Sequence, residues 1–501
     1  MTRNHFAERF YSTQEEERQR QRTRTFVLHE AFRLLHPEAT LQLAYSLGDA
    51  FYYHVRNAPP LLPRDVEALR ETMQGLAQAG QALSAEVATR EQALTALEVE
   101  QGVLTRAWIS DHHVELPQLI RDGAGRLLAF KGPLCETTAG ARPFDVHAYP
   151  PGLLLRALPQ GSREVPRYRE RPTLFRAFYE AERWGAVHGV SFVSEVNALV
   201  RSGDIAELVR VAEALHARKI AEIADRIVAL NPRPSVVLIS GPSSSGKTSF
   251  SGRLQVELRL LGLQPRTLSL DDFYRPRDKI PRRPDGDYDF EVLEALDVAR
   301  FDEVLLRLIA GEEVRPPRLD FQTHQHLEGS PLRLGKDGVL IVEGIHGLNP
   351  DLTPQLTEPS VFRVYVSALT HLNLDDLNRM STTDLRLLRR TVRDRRARGY
   401  SAEETLARWP AVREGEHQHI FPYQEEADVM FNSALPFELS ALRQPAEAAL
   451  AAVQREDLLP EARRLLRMLD AVEPLSADWL HTHLPPTSLM REFIGGSVLV
   501  P

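Results

Sequence analysis

The sequence predicts two architectures in one chain: an α/β domain, with a parallel sheet and helices on both faces, preceded by an α+β domain. Three observations predict this. From residue 235 onward, short β-prone runs alternate with helical patterns, as in a parallel sheet whose crossovers are helices. The first of these runs passes directly into Gly-Pro-Ser-Ser-Ser-Gly-Lys-Thr, a turn far richer in glycine and serine than a plain strand–helix connection needs. Before residue 160, helical periodicity mixes with short strands broken by Gly and Pro.

The 501 residues exceed what one core usually serves, so two to four domains are expected. Hydrophobic content of 43% and charged content of 26% are those of an ordinary globular protein. A net charge of −8 argues against general nucleic-acid affinity. Cys135 is the single cysteine, which excludes intramolecular disulfides and cysteine-rich metal sites. No apolar run approaches the length of a membrane span, and the first residues are too polar for a secretory signal. A cytoplasmic location is therefore expected.

Taken in order, residues 1–24 are polar and charged and are expected to fray. Residues 25–170 form the α+β region. TFVLHEAFRLLHP gives a short helix stopped by Pro37, and TLQLAYSLGDAFYYHV gives two strands around Gly48-Asp49. Residues 64–100 carry long helical periodicity, with Val66, Leu69, Met73 and Leu76 on one face. Residues 103–160 are strand-rich. Residues 171–230 form a helical linker ending in a strongly amphipathic helix over 203–230, stopped by Asn231-Pro232-Arg233-Pro234. Residues 231–445 hold the alternating strands and helices, and 446–501 are mostly helical.

The loop after Val236–Ile239 has the spacing G-x-x-x-x-G-K-[ST], from Gly241 to Thr248. Glycines let backbone N–H groups turn inward as an anion-binding nest, and the following helix N-terminus adds partial positive charge. Gly241, Ser243, Ser244, Ser245, Gly246, Lys247, Thr248 and Ser249 are therefore the candidate nucleotide contacts. Lys247 would reach the β- and γ-phosphates and Thr248 would ligate Mg²⁺. Only five of the 61 basic residues are lysine. A lysine that survives this arginine bias inside the loop points to a need for a compact charge.

A phosphate loop binds nucleotide without choosing a reaction; Mg²⁺ and the acceptor need carboxylates at neighbouring strand ends. Asp271-Asp272 follows one β-prone run and Glu343 ends another. The alternatives are a helix cap or turn for the aspartates and a surface acid for Glu343. Residues 381–399 are arginine-rich. Leu385, Leu388 and Val392 form one stripe, and Arg386, Arg390 and Arg393 form another. One stripe packs and the other presents guanidinium groups, either as a lid over transferring phosphate or as a solvated or RNA-contacting face.

GPSSSGKTSF, SLDDFY, LIVEGIHGLNP and RLLRRTVRDRRARG together resemble the uridine kinase/phosphoribulokinase family of P-loop kinases over about 230–445. With HIFPYQEEADVMFNSAL and REFIGGS added, the arrangement is similar to long bacterial uridine kinase-like proteins. Their N-terminal region, about 25–170 here, resembles the second domain of threonyl-tRNA synthetase. The resemblance implies ATP and Mg²⁺ as cofactors and a small hydroxyl acceptor, a nucleoside. It implies Asp271 as general base, Thr248, Glu343 and Asp271 around Mg²⁺, and Arg386, Arg390 and Arg393 on the lid. DYDFEVLEALD points to Asp289 as a sugar contact, with an N-cap as the equal alternative.

The departures from the family pattern limit what is carried over. PRLDFQTHQH keeps His324, a substrate contact by resemblance, but has Leu319 where Tyr stands in uridine kinases and His326 where Arg stands. Loss of a ring and a fixed cation weakens the case for a pyrimidine acceptor. In the synthetase-like region the catalytic histidine positions fall near Arg22 and Phe26, so no editing activity is expected. RNA contact remains a reading for that region. A nucleotide-dependent RNA-binding or regulatory protein, with the kinase fold as a switch, is the alternative to a small-molecule kinase.

Overall fold

The computed structural model describes residues 2–86, 88–99, 103–111, 116–158, 167–320, 325–356 and 360–499. The chain opens with one long helix, α1 (Thr2–Leu35), where the polar composition predicts fraying over 1–24. The correction has a physical cause: several charged residues of α1 are covered or paired. Arg24 is buried, donates from Nε to the Ala141 carbonyl at 2.9 Å, and pairs with Glu17. Arg22 pairs with Glu15, and the buried Tyr11 hydroxyl donates to the Leu406 carbonyl.

Strands β1 (Thr40–Leu47) and β2 (Ala50–Arg56) form the hairpin expected around Gly48-Asp49. Helix α2 (Pro63–Ala79) stops at Gly80, whose left-handed backbone (φ 60°) closes it. The periodicity that reads as continuous to residue 100 is thus two helices, the second being α3 (Arg90–Val99). Between them Ala82 and Glu86 bridge to Thr137 and Leu119, pairing that local periodicity cannot reveal. The stretch expected to be strand-rich begins with a helix, α4 (Val103–Asp111). It then gives β3 (Gln118–Arg121), β4 (Leu127–Phe130), β5 (Phe144–Tyr149) and β6 (Gly152–Ala157). An antiparallel sheet in the order β1-β2-β6-β5 is covered on one face by α1 and α2 and on the other by α5 (Pro172–His188).

Helices α6 (Val193–Ser202) and α7 (Ile205–Ala229) lead into the second sheet. Its elements are β7 (Val236–Ser240), α8 (Lys247–Leu260), β8 (Gln264–Ser269), α9 (Val298–Ile309), the hairpin β9 (Pro317–Asp320) and β10 (Gln325–Glu328), β11 (Gly338–Glu343), β12 (Val361–Ser367), α10 (Thr382–Arg393), α11 (Ala402–His419), β13 (Val429–Asn432) and α12 (Glu438–Leu450). Five strands in the order β13-β12-β7-β11-β8 pair in parallel throughout. Strand period two assigns the faces. Val237, Ile239, Val339 and Ile341 pack against α7 and α8, while Val236, Leu238, Leu340 and Val342 pack against α9. The central strands β7 and β11 are buried on both faces, which is why they read as unbroken apolar runs, while the edge strand β8 exposes Gln264, Arg266 and Thr267.

Helices α13 (Leu459–Asp470), α14 (Ala477–His483) and α15 (Arg491–Ile494) end the described chain. One apolar core joins residues far apart in sequence: Tyr11, Trp108, Val209, Leu388, Trp409, Leu465 and Phe493. The first helix and the last therefore help hold the arginine helix α10 in place.

Candidate active site

Parallel register sets three strand ends level. Ile239 of β7 stands beside Glu343 of β11, and Glu343 beside Ser269 of β8. Gly241 follows Ile239 by two residues and Asp271 follows Ser269 by two, so loop, Asp271 and Glu343 leave the sheet at one carboxyl edge. That edge is where such sheets bind ligands.

The loop is shaped for close backbone approach. A Cβ on Gly241 would lie 2.0 Å from the Val366 carbonyl oxygen, so only glycine passes β12 here. Ser244 and Gly246 have positive φ, 59° and 87°, which turns successive N–H groups toward the concave side. The hydroxyls of Ser244 and Ser245 are buried without a hydrogen-bond partner. Buried polar groups are normally paired, and phosphate oxygens would pair these.

Lys247 curls back, donating from Nζ to the carbonyls of Gly241 (2.9 Å) and Pro242 (3.2 Å). Burial lowers its pKa, while Glu343, Asp271 and Glu492 oppose that shift. Thr248 is exposed and donates to Glu343 Oε1 at 3.2 Å. Burial pushes Glu343 up to about 7; the charges of Asp271 and Glu492 add to the rise and Lys247 opposes it. Lys247, Glu343, Asp271 and Glu492 thus share one electrostatic site. Among the described residues, no three His, Cys, Asp or Glu side chains gather as a ready-made metal cage. Thr248 and Glu343 meet directly, and Asp271 joins them through charge alone.

Ser249, expected on the nucleotide, is turned inward. Its hydroxyl (2.7 Å) and N–H (3.3 Å) both donate to Glu492 Oε2, so it fastens α8 to α15.

The expected stripe of presented guanidinium groups also needs correction. Arg386 is buried and donates to both oxygens of Glu416. Glu416, itself fully buried, also pairs with Arg413 and accepts the Ser243 N–H at 3.1 Å. A carboxylate so deep requires fixed counter-charge, and that demand takes Arg386 out of the lid. Arg390 does reach the loop, donating from Nη1 to Ser243 Oγ at 2.6 Å. Arg393 pairs with Asp394 at 2.7 Å. Arg389, which the stripe argument passes over, is buried. It pairs with Glu438 and donates to the Ser433 carbonyl, while the Ser433 hydroxyl donates to the Ser245 carbonyl. Helix α10 is therefore tied to the loop at Ser243 and, through Ser433, at Ser245.

Asp289 accepts the Glu291 N–H at 3.1 Å, a turn contact of the capping kind. His324 lies outside the described residues. The hairpin β9–β10 is tied to the end of β8, where the Leu319 N–H donates to Asp272 Oδ1 at 2.9 Å; His326 is exposed. Two further acids lie in the site, in strings quoted above but with no role assigned to them there. Glu291 is pushed up to about 8 by burial and couples to Arg390, Glu416, Asp289 and Asp271. Glu492 belongs to REFIGGS, a string whose contacts only the fold supplies.

A strand, glycine-rich loop and helix at the centre of a parallel sheet, with a carboxylate on the next strand end, make this region a P-loop kinase, a phosphoryl-transferring enzyme. Residues 236–438 match the Phosphoribulokinase / Uridine kinase family. The chain is 28% identical over 198 residues to uridine-cytidine kinase B of Dictyostelium discoideum, covering 39% of this chain and 74% of that one. It is 29% identical over 201 residues to a uridine kinase of Macrococcus caseolyticus, covering 40% of this chain and 87% of that one. A uridine kinase of Deinococcus deserti is 28% identical over 207 residues, covering 40% and 87%. Among the described residues, no helix is long and apolar enough to cross a membrane.

Proposed function

We propose that this chain transfers the terminal phosphoryl group of ATP, with Mg²⁺, to a hydroxyl of a nucleoside. The level register of the Gly241 loop, Glu343 and Asp271 at one sheet edge carries the reading. The loop N–H groups and the Ser244 and Ser245 hydroxyls hold phosphate oxygens. Thr248 and Glu343 are the groups that would hold Mg²⁺, which supplies charge neutralisation on the phosphates when bound. Lys247 exchanges its two carbonyl partners for phosphate oxygens. Asp271 takes the proton of the acceptor hydroxyl and aims its oxygen. Arg390 and Arg393 balance charge as it builds. Arg386 acts at one remove, fixing Ser243 through Glu416. The names of the relatives support a nucleoside acceptor, and Asp289 is proposed to contact its sugar. Leu319 and His326 mark a pocket with weaker selection for pyrimidine, and His324 is proposed to contact the acceptor.

The test is incubation with Mg²⁺-ATP and a panel of nucleosides and sugars, with products followed by mass. A phosphorylated nucleoside is expected. A phosphorylated sugar and no nucleotide product would move the acceptor class. Lys247→Ala is expected to keep its far-UV circular dichroism and lose turnover by about 10²–10⁴-fold; unchanged turnover would remove the phosphate loop from the mechanism.

A further inference from the structure

A crevice of about 1010 Å³ runs between α1, the β3–β4 hairpin, the segment leading into α10, and α13. It lies apart from the phosphate loop, and acids and bases line it in a mixture. Most of these charges are accounted for. Glu15 pairs with Arg18 and Arg22. Arg464 holds Asp384 and Glu461, each at 2.7 Å, and Arg18 also reaches Glu461. Both Asp384 oxygens accept from Arg464.

Two cations remain. Lys131 Nζ has the Arg379 carbonyl, at 2.6 Å, as its acceptor and no carboxylate. Arg379 lies with Cζ 5.3 Å from the Phe51 ring centre, and its buried Nη1 has no hydrogen-bond partner. The ring face satisfies one face of the guanidinium but accepts none of its in-plane N–H groups. Gln21 Nε2, also lining the crevice, is buried and equally without an acceptor. Burial holds Lys131 down to about 7 and Arg379 down to about 10. Asp384 offsets part of this charge but is already held at both oxygens by Arg464, so two adjacent cations with no hydrogen-bonded carboxylate, beside a buried amide donor without an acceptor, are costly unless a further anion meets them.

We propose that this crevice is a second ligand site, in which Lys131, Arg379 and Gln21 receive the phosphate or carboxylate group of a small organic anion. Leu43, Phe51 and Leu377 supply an apolar wall for the rest of such a molecule. The site bridges the two halves of the chain. Lys131 follows β4, Gln21 is on α1, and Arg379 stands two residues before Ser381, which caps α10 by accepting the Asp384 N–H. An occupant would thus hold the start of the helix whose Arg390 touches Ser243.

The test uses the full chain with its phosphate loop filled by Mg²⁺ and a non-hydrolysable ATP analogue. Thermal unfolding is followed at constant ionic strength while chloride is replaced by inorganic phosphate or by acetate. One of the two anions is expected to raise the midpoint by about 2 °C or more. A response to phosphate points to a phosphate ester, and a response to acetate alone to a carboxylate. Lys131→Met and Arg379→Met should lose the rise while each keeps a single cooperative transition in chloride. Arg379→Lys should keep it. No rise with either anion, or an equal rise in both methionine variants, overturns the proposal.

Discussion

Arg386 and Glu416 are joined by two hydrogen bonds, 2.5 and 2.7 Å long, where neither side chain is more than 1% exposed. The same Glu416 accepts the Ser243 N–H, so a buried ion pair on α10 and α11 sets the first turn of the phosphate loop. Removing one partner leaves the other charge buried and alone. Glu416→Ala is expected to destabilise the protein by about 3–5 kcal/mol, measured by urea unfolding. Arg386→Lys, which keeps charge but loses the fork, should lose less stability and still weaken nucleotide binding.

Glu343 makes stability depend on pH with a defined sign. Its carboxyl ionises near 4.5 when unfolded and near 7 when folded, so folding takes up a proton between these values. The stability linked to this group is complete below about 4.5 and is lost as pH rises through 7. Glu343→Gln should therefore unfold about 1–3 kcal/mol later than the parent at pH 8, with the difference vanishing near pH 4.5, in the absence of Mg²⁺ and nucleotide. The same variant should lose most of its turnover. A constant difference across this range would show that the shift is absent.

Ser249 and Glu492 fasten the phosphate-loop helix to the last helix of the chain. Ser249→Ala should cost about 1–2 kcal/mol, because it leaves Glu492 with one acceptor position unused. Glu492→Ala removes the acceptor for both donors and should raise the KM for nucleotide about tenfold, with a smaller change in kcat. An unchanged KM in Glu492→Ala would make the contact purely structural.

Leu319 and His326 face each other across the β9–β10 hairpin, which the Leu319 N–H ties to Asp272. If these positions set acceptor choice, the double variant Leu319→Tyr with His326→Arg should raise kcat/KM for uridine over a purine nucleoside by about tenfold or more. Competition assays with the two nucleosides measure this directly.

The phosphate loop was legible because its chemistry is local. Glycine spacing, the strand before it and the helix after it lie within fifteen residues, and Gly241 is required by one close backbone approach. Asp271 and Glu343 were legible as acids ending apolar runs. Ser249 and Arg386 were assigned to the ligand because loop membership and helical spacing cannot show which way a side chain is claimed. Each is held by a carboxylate more than 29 residues away, Glu492 and Glu416, and neither acid stands in a pattern that announces such a role. The N-terminal helix shows the same effect: Arg24 reaches the Ala141 carbonyl and Arg18 reaches Glu461, partners that spacing along the helix does not show.

By itself the sequence determined the parallel-sheet region, the glycine-rich loop and the two strand-end acids. Burial on both faces and backbone sterics dictate residue types at short range. The tertiary structure alone decided that one core joins the first helix to the last, that Glu416 and Glu492 hold the loop and the helix after it, and that Lys131 and Arg379 meet in one crevice. Charge pairing acts over a few ångströms in space, and the chain brings those ångströms together from hundreds of residues apart.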